Sequence, residues 1–334
     1  MSGSKKISVV IPTFNSLKKL DVIFRSINKQ NNINFKFFEF IIVQNNEKYF
    51  NEIHPYFLKN KTIKARIIKE KRVGLHYARN IGVKKSSTDN IILIDDDVSL
   101  SKNYLNNMQK SLKKYKIVGG PNLMKTEKKI PNWIKKNFII RTNNNESYCK
   151  YLSYLDFGKK NRVINPMYIF GMNIGFKKKI YYDLRGFNPD LIGLDYNSNF
   201  IGDGESGFLR KCFKKGIISF YNSSCKVYHI ISGSRLTLLY FKKRAVYHGK
   251  GDSFSKLRDN PNFLSAVVTT IKFAIKSLIT GCKIIFYSSK KKKNIDFHYK
   301  LQIKYEYLKS YLEHHLMYIF NLKIRNWINQ KDYL

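Results

Sequence analysis

Short runs of β-branched and aliphatic residues alternate with helix-patterned stretches over the first hundred positions. Ile7-Ser8-Val9-Val10-Ile11 reads as a buried strand that stops at Pro12. Asn15 or Ser16 can cap the helix that follows, whose apolar positions Leu17, Leu20, Phe24 and Ile27 share one face. Phe38 to Val43 reads as a second strand and Ala65 to Ile68 as a third. A helix over Leu75 to Val83 leads to a fourth strand, Asn90-Ile91-Ile92-Leu93-Ile94. Such alternation marks βαβ units, and so an α/β fold on a mostly parallel central sheet flanked by helices.

From about Leu100 to Phe170 the pattern loosens into polar Asn and Lys stretches that suggest loops. Order returns at Gly171-Met172-Asn173-Ile174-Gly175-Phe176, and again at Gly202-Asp203-Gly204-Glu205 ahead of an amphipathic stretch. After His229 the composition shifts to Arg, Lys and aromatics. Leu264, Val268, Ile271, Ile275, Leu278 and Ile285 recur at helical spacing there, with Lys272, Lys276 and Lys283 on another side and Lys290 to Lys293 just beyond. This pattern is amphipathic, not spanning, and suits a helix lying in an anionic membrane interface. It equally suits a helix packed on the rest of the protein with a solvated basic flank. The expected organisation is one unit over 1–235, with halves 1–100 and 101–235, followed by a helical, basic region over 236–334.

The 334 residues carry a net charge of +39, which points to phosphate-bearing partners or simply to a strongly basic solvated surface. Nucleic acid is one such partner. No helix-turn-helix, zinc-finger or RNP-type pattern accompanies the charge, so a non-catalytic nucleic-acid-binding protein stands only as the alternative, with no specific nucleic acid expected. No glycine-rich turn follows the first strand, which argues against a dinucleotide-binding oxidoreductase. Cys149, Cys212, Cys225 and Cys282 show neither CxxC nor zinc-type spacing. They are expected to be reduced thiols, and with no signal-peptide core near Met1 the expected place is the cytoplasm, at most peripheral on the membrane.

The fourth strand runs straight into Asp95-Asp96-Asp97, and in open parallel sheets ligands sit beyond the carboxyl ends of strands. Asp95 and Asp97, at alternate positions, can hold Mg²⁺ or Mn²⁺ through oxygen while leaving coordination sites for phosphate and water. A helix N-cap or acidic turn would explain a lone acidic triplet, but not its place at the end of a buried strand.

Three segments in order then resemble the family 2 glycosyltransferases of the GT-A type. They are Val9-Val10-Ile11-Pro12-Thr13-Phe14-Asn15, Gly74-Leu75-His76-Tyr77-Ala78-Arg79-Asn80-Ile81-Gly82, and Leu93-Ile94-Asp95-Asp96-Asp97. The resemblance runs from about Ile7 to His229. It implies a Rossmann-like GT-A fold and transfer of sugar from a nucleoside-diphosphate donor, UDP-sugar favoured, to a hydroxyl of a glycan or lipid-linked acceptor. Cell-surface polysaccharide or glycoconjugate synthesis is the implied setting. Pro12, Thr13, Phe14 and Asn15 would close over the nucleotide, with Arg79 and Asn80 near its ribose and phosphates. The triplet would supply the DxD motif, Asp95 and Asp96 facing the donor and Asp95 and Asp97 the divalent metal. Gly171, Met172 and Asn173 would line the sugar and acceptor pocket, and His229 would complete the metal or diphosphate site.

Two departures stand out. Gln44 replaces the Asp that the family usually uses to read the base, and its amide can still pair with a uracil edge. The family's Gly-Glu-Asp is represented by Gly202-Asp203-Gly204-Glu205-Ser206. Asp203 matches without gaps and Glu205 after a one-residue shift, so either carboxylate is a candidate base, unless the pair simply answers the helix dipole. Deprotonation of the acceptor and one displacement opposite the diphosphate would invert the anomeric centre.

Overall fold

The computed structural model describes residues 6–14, 17–50, 65–142, 146–189, 200–288, 294–331 and 333–334. Four strands take up the aliphatic runs: β1 (Ile7–Thr13), β2 (Phe38–Gln44), β3 (Ala65–Lys69) and β4 (Asn90–Ile94). Between them lie α1 (Leu17–Asn28) and α2 (Leu75–Lys85). The expected helix caps Asn15 and Ser16 fall outside the described residues. β1 does not stop at Pro12 but continues to Thr13, paired in parallel with Gln44. The Thr13 carbonyl accepts from Asn45 N on the β2 side. Strand alternation therefore turns Pro12 the other way, where pairing with β4 has already ended at Val10 opposite Leu93, and its missing N–H breaks no ladder bond.

The chain continues through β5 (Val98–Leu100), α3 (Tyr104–Lys114), β6 (Ile117–Gly119), β7 (Asn122–Thr126), α4 (Asn132–Asn137) and β8 (Ile140–Arg141). Then come β9 (Ser147–Cys149), β10 (Tyr154–Asp156), β11 (Arg162–Ile164), β12 (Asn173–Lys177), α5 (Lys178–Asp183), α6 (Gly204–Lys214), β13 (Ser219–Tyr221) and β14 (Val227–Ile231). Among the described residues eight strands form one sheet in the order β11, β13, β6, β12, β4, β1, β2, β3, and six form a second in the order β5, β14, β7, β10, β9, β8. The segment expected to be loops between Leu100 and Phe170 thus supplies most of the second sheet.

Alternation along the central strands splits the core in two. Val9, Ile11, Ile42 and Ile92 face Leu20, Phe24 and Ile27 of α1 and Leu105 of α3. Val10, Ile41, Val43, Ile91 and Leu93 face Ala78 and Val83 of α2 and the rings of Phe176, Phe187 and Phe208. Gly82 lets α2 lie close on the sheet, since a Cβ there would run into Val10.

Four helices follow: α7 (Leu238–Asp259), α8 (Phe263–Ser288), α9 (Ile295–Phe320) and α10 (Leu322–Ile328). They are bound to the sheets and to each other. Trp133 of α4 meets Phe241 edge-on at 4.9 Å and Tyr299 at 5.6 Å. Arg258 Nη1 donates to the carbonyls of Ile328 and Gln330 at 2.7 and 2.6 Å.

Candidate active site

β1 and β4 run side by side and end at the same edge of the sheet, so the segments that follow them share one cavity of about 370 Å³. Pro12, Thr13, Phe14, Arg79 and Asp95 to Asp97 line it, with Met172, Glu205 and His229 opposite. Asn15 lies outside the described residues.

Arg79 is the electrostatic centre. Its side chain is only 1% exposed, and Nη2 donates to Asp95 Oδ1 at 2.7 Å while Nη1 donates to Glu205 Oε2. The His76 ring joins the cluster, with Nε2 3.2 Å from Arg79 Nη1 and 3.6 Å from Glu205 Oε2. Burial works to raise Glu205, but the Arg79 charge, the His76 contact and a hydrogen bond from the Gly171 N–H together hold it well below the ordinary carboxylate range. Asp95 goes the other way. Its burial, with Asp97 and Glu205 nearby, pushes it up against the pull of Arg79.

The other two acids of the triplet have separate partners. Thr13 Oγ1 donates to Asp96 Oδ2 at 2.7 Å, tying the end of β1 to the turn after β4. Asp97 Oδ2 is 3.0 Å from Arg235 Nη2 and 3.5 Å from His229 Nε2. His229 Nδ1 lies 3.1 Å from the Leu152 carbonyl, which can only accept, so Nδ1 carries the proton and Nε2 presents a lone pair. Arg235 Nη1 donates to that lone pair at 2.8 Å. Among the described residues no three His, Cys, Asp or Glu side chains converge as a metal cage. Asp97 and His229 form a two-residue edge that would need further ligands from a donor's phosphates.

Several residues expected at the site lie elsewhere. Gln44 is fully buried and its Oε1 accepts from Asn45 N; the neighbouring Asn45 reaches the cavity wall. Asn45 is itself committed to the loop before α2, donating to the Glu70 and Arg72 carbonyls and accepting from Gly74 N at 2.7 Å. Gly74 stands there at φ 146°, a conformation that suits glycine. Asn80 turns inwards, accepting from Tyr181 Oη and Phe187 N and donating to Phe187 O. Asn173 is likewise structural, donating to Pro121 O and Cys225 O and accepting from Tyr104 Oη. Asn45, Asn80 and Asn173, satisfied in this way inside the protein, have nothing left for a ligand, whereas the buried Gln44 Nε2 has no hydrogen-bond partner among the described residues.

Asp203 and Glu205 separate clearly. Asp203 accepts from Asn188 Nδ2 at 2.6 Å and Ser255 Oγ at 2.7 Å, and faces Arg210 at 3.6 Å. Its carboxylate braces α6 against α7. Asp203 also lines a second cavity, of about 270 Å³, whereas Glu205, two residues on, lines both that cavity and the main one. Ser153, Phe170 and Arg244 share that common wall with it.

The second cavity holds what sequence reasoning missed. Arg244, Tyr247, His248 and Gly251 of α7 line it together with Tyr307 of α9. Tyr240, Arg244 and His248 repeat at four-residue spacing, which would have marked one helix face. Arg235, six residues past His229, carried no such signal.

Gly171 lines neither cavity but lies against the Arg79 and Glu205 head groups, which a Cβ would overlap. Gly171→Ala is therefore expected to displace Glu205 and lower turnover by up to about a hundredfold, read from steady-state rates of the purified variant.

The sequence pattern of glycosyl transferase family 2 matches residues 8–185, more than half of the 334-residue chain. The chain belongs to that family. No curated protein sequence matches it. Among solved structures it is similar to S. aureus TarS at 15% identity and TM-score 0.47, over 74% of this chain and 40% of that one. It is also similar to S. aureus TarS 1-349 in complex with UDP, at 13% identity and TM-score 0.48, over 94% of this chain and 91% of that one. The chain thus spans about two fifths of the longer TarS chain.

Proposed function

We propose that the larger cavity takes the nucleoside diphosphate of a sugar donor and the second cavity a hydroxyl-bearing glycan or lipid-linked acceptor, with Glu205 as the base between them. The observation that carries this reading is the position of Glu205 on the wall common to both cavities. UDP is the favoured nucleotide on the family's habits alone, since Gln44 does not reach the wall. Synthesis of cell-surface polysaccharide or glycoconjugate is the setting the family suggests.

In this mechanism the acceptor hydroxyl gives its proton to the Glu205 carboxylate as its oxygen attacks the anomeric carbon. The bond from that carbon to the diphosphate breaks on the opposite face, so the centre inverts. Arg79 and Arg235 flank the leaving group, where preorganised positive charge favours the transition state. Among the described residues four carboxylates line the donor cavity against three guanidiniums, Arg79, Arg235 and Arg244. That balance does not welcome a diphosphate. Asp97 and His229 would hold a divalent ion, Mn²⁺ or Mg²⁺, only where the Arg235 guanidinium now bound to both of them gives way, and the ion when bound would neutralise the leaving diphosphate.

The test is a panel of nucleotide-sugars scored for nucleoside diphosphate release with hydroxyl acceptors. Release from none of them, with any acceptor and with Mn²⁺ or Mg²⁺ present, overturns the reading. Asp97→Ala is expected to weaken Mn²⁺ binding in the presence of UDP by about tenfold or more, followed by the spin-resonance signal of free Mn²⁺. Unchanged Mn²⁺ retention would remove Asp97 from the metal site.

A further inference from the structure

The helix α8 is built inside out. Its buried positions are Ala266, Thr270, Ser277 and Thr280, small or polar residues that lie against the rest of the protein. Phe273 adds to this seam by stacking on Tyr311 of α9, ring centres 3.7 Å apart. The opposite face carries Leu264, Val268, Ile271, Ile275, Leu278 and Ile285, from 53% to 75% exposed. Steps of three, four and finally seven residues keep all six on one side over about 30 Å of helix.

A contiguous apolar face of this length is not an ordinary water-facing surface. By length and composition alone the helix is apolar enough to cross a membrane. Its packing argues for lying flat instead. The seam holds α8 lengthwise to α9, whose outer positions Lys300, Lys304, Lys309 and Glu313 are exposed and charged. Spanning would drag those charges into hydrocarbon or open the seam. The expected basic run Lys290 to Lys293 lies outside the described residues, but Lys272 and Lys276 sit on α8 itself, on the flank next to the apolar face, and both are exposed.

We infer that α8 seats the protein on an anionic bilayer, its apolar face in the interface and Lys272, Lys276 and Lys283 against the headgroups. Charge selects this occupant over a second copy of the chain, because two proteins of net charge +39 repel each other while an anionic surface attracts either. The seat also lies close to the second cavity. Tyr307 of α9 lines that cavity and donates to Asp252 at 2.9 Å, while Tyr311, one turn later, stacks on α8. About one helix diameter of some 10 Å therefore separates the second cavity from α8. That this brings a lipid-linked acceptor within reach rests on the proposed function; membrane binding itself does not.

The test is flotation of the full chain with vesicles of phosphatidylcholine, with or without phosphatidylglycerol. The wild type is expected to float with the anionic vesicles at low salt and progressively less as salt rises. Ile275→Asp with Leu278→Asp, both at exposed positions, is expected to abolish flotation while the circular dichroism melt stays that of the wild type. Lys272→Glu, Lys276→Glu and Lys283→Glu together should lower vesicle binding by about tenfold or more without touching the apolar face. Nucleoside diphosphate release in solution should be unchanged in either variant, which separates this inference from the catalytic one. Three results would overturn it: no flotation of the wild type at low salt, variants that float as the wild type does, or a wild-type dimer that the Asp variant splits without any vesicle binding.

Discussion

Glu205→Gln is expected to slow sugar transfer by about a hundredfold to ten-thousandfold, the usual effect of removing a general base. The amide keeps the size of the side chain, and its oxygen can still accept from Arg79 and the Gly171 N–H, so the fold and the donor cavity should survive. Asp203→Asn should behave in the opposite way. Its carboxylate is 8% exposed and holds Asn188, Ser255 and the Arg210 charge, so the loss should fall on stability, at about 1–3 kcal/mol. Turnover of the folded fraction should change by no more than a few fold. Measuring transfer and thermal melting on both variants decides the matter, and if Asp203→Asn stops turnover while Glu205→Gln does not, the base has been misassigned.

Arg79→Met is expected to cost about 3–5 kcal/mol of stability, since it leaves Asp95 and Glu205 buried without their shared counter-charge. The pH dependence has a definite sign. Glu205 is held below its ordinary value in the folded protein, so its share of stability is complete above the unfolded-chain value of about 4.3 and fades only as pH falls through the lowered folded value. In the variant that share disappears, and the melting temperatures of wild type and variant should converge in strong acid. A variant as stable as the wild type at neutral pH would mean that Arg79 is not the counter-charge the site depends on.

How much of this was legible in the sequence depends on the kind of signal each residue carries. The four aliphatic runs that became β1 to β4 were readable because strands buried on both faces have few polar interruptions. The second sheet was not readable, since strands such as Ile140–Arg141 and Ser147–Cys149 are too short to show alternation. Asp95 to Asp97 and Arg79 could be singled out because charge at the end of a buried strand or inside a helix needs a reason, and the structure brings them to one cavity. Gln44, Asn80 and Asn173 were singled out by the same logic, and the structure places them off the cavity walls. An amide beside a motif looks identical whether it faces a ligand or closes an internal hydrogen-bond network, and only the partners, Tyr181 and Phe187 for Asn80, tell the two apart. The inside-out character of α8 was half visible: the stripe and its lysines could be read, but not which side faced water.

Because one guanidinium serves both Asp95 and Glu205, the proposed donor site and the proposed base are thermodynamically linked. On the proposed mechanism an incoming diphosphate competes with Glu205 for Arg79, and whatever attraction it takes away returns to Glu205 as proton affinity. Linkage is reciprocal, so neutralising Glu205 must tighten the donor by the same factor. Titrating nucleoside diphosphate into Glu205→Gln should therefore give a lower Kd than the wild type shows, in a protein that no longer turns over. The base would then be weakest in the empty enzyme and strongest with donor in place, which sets an order of events: donor first, acceptor second, and little water activated in between.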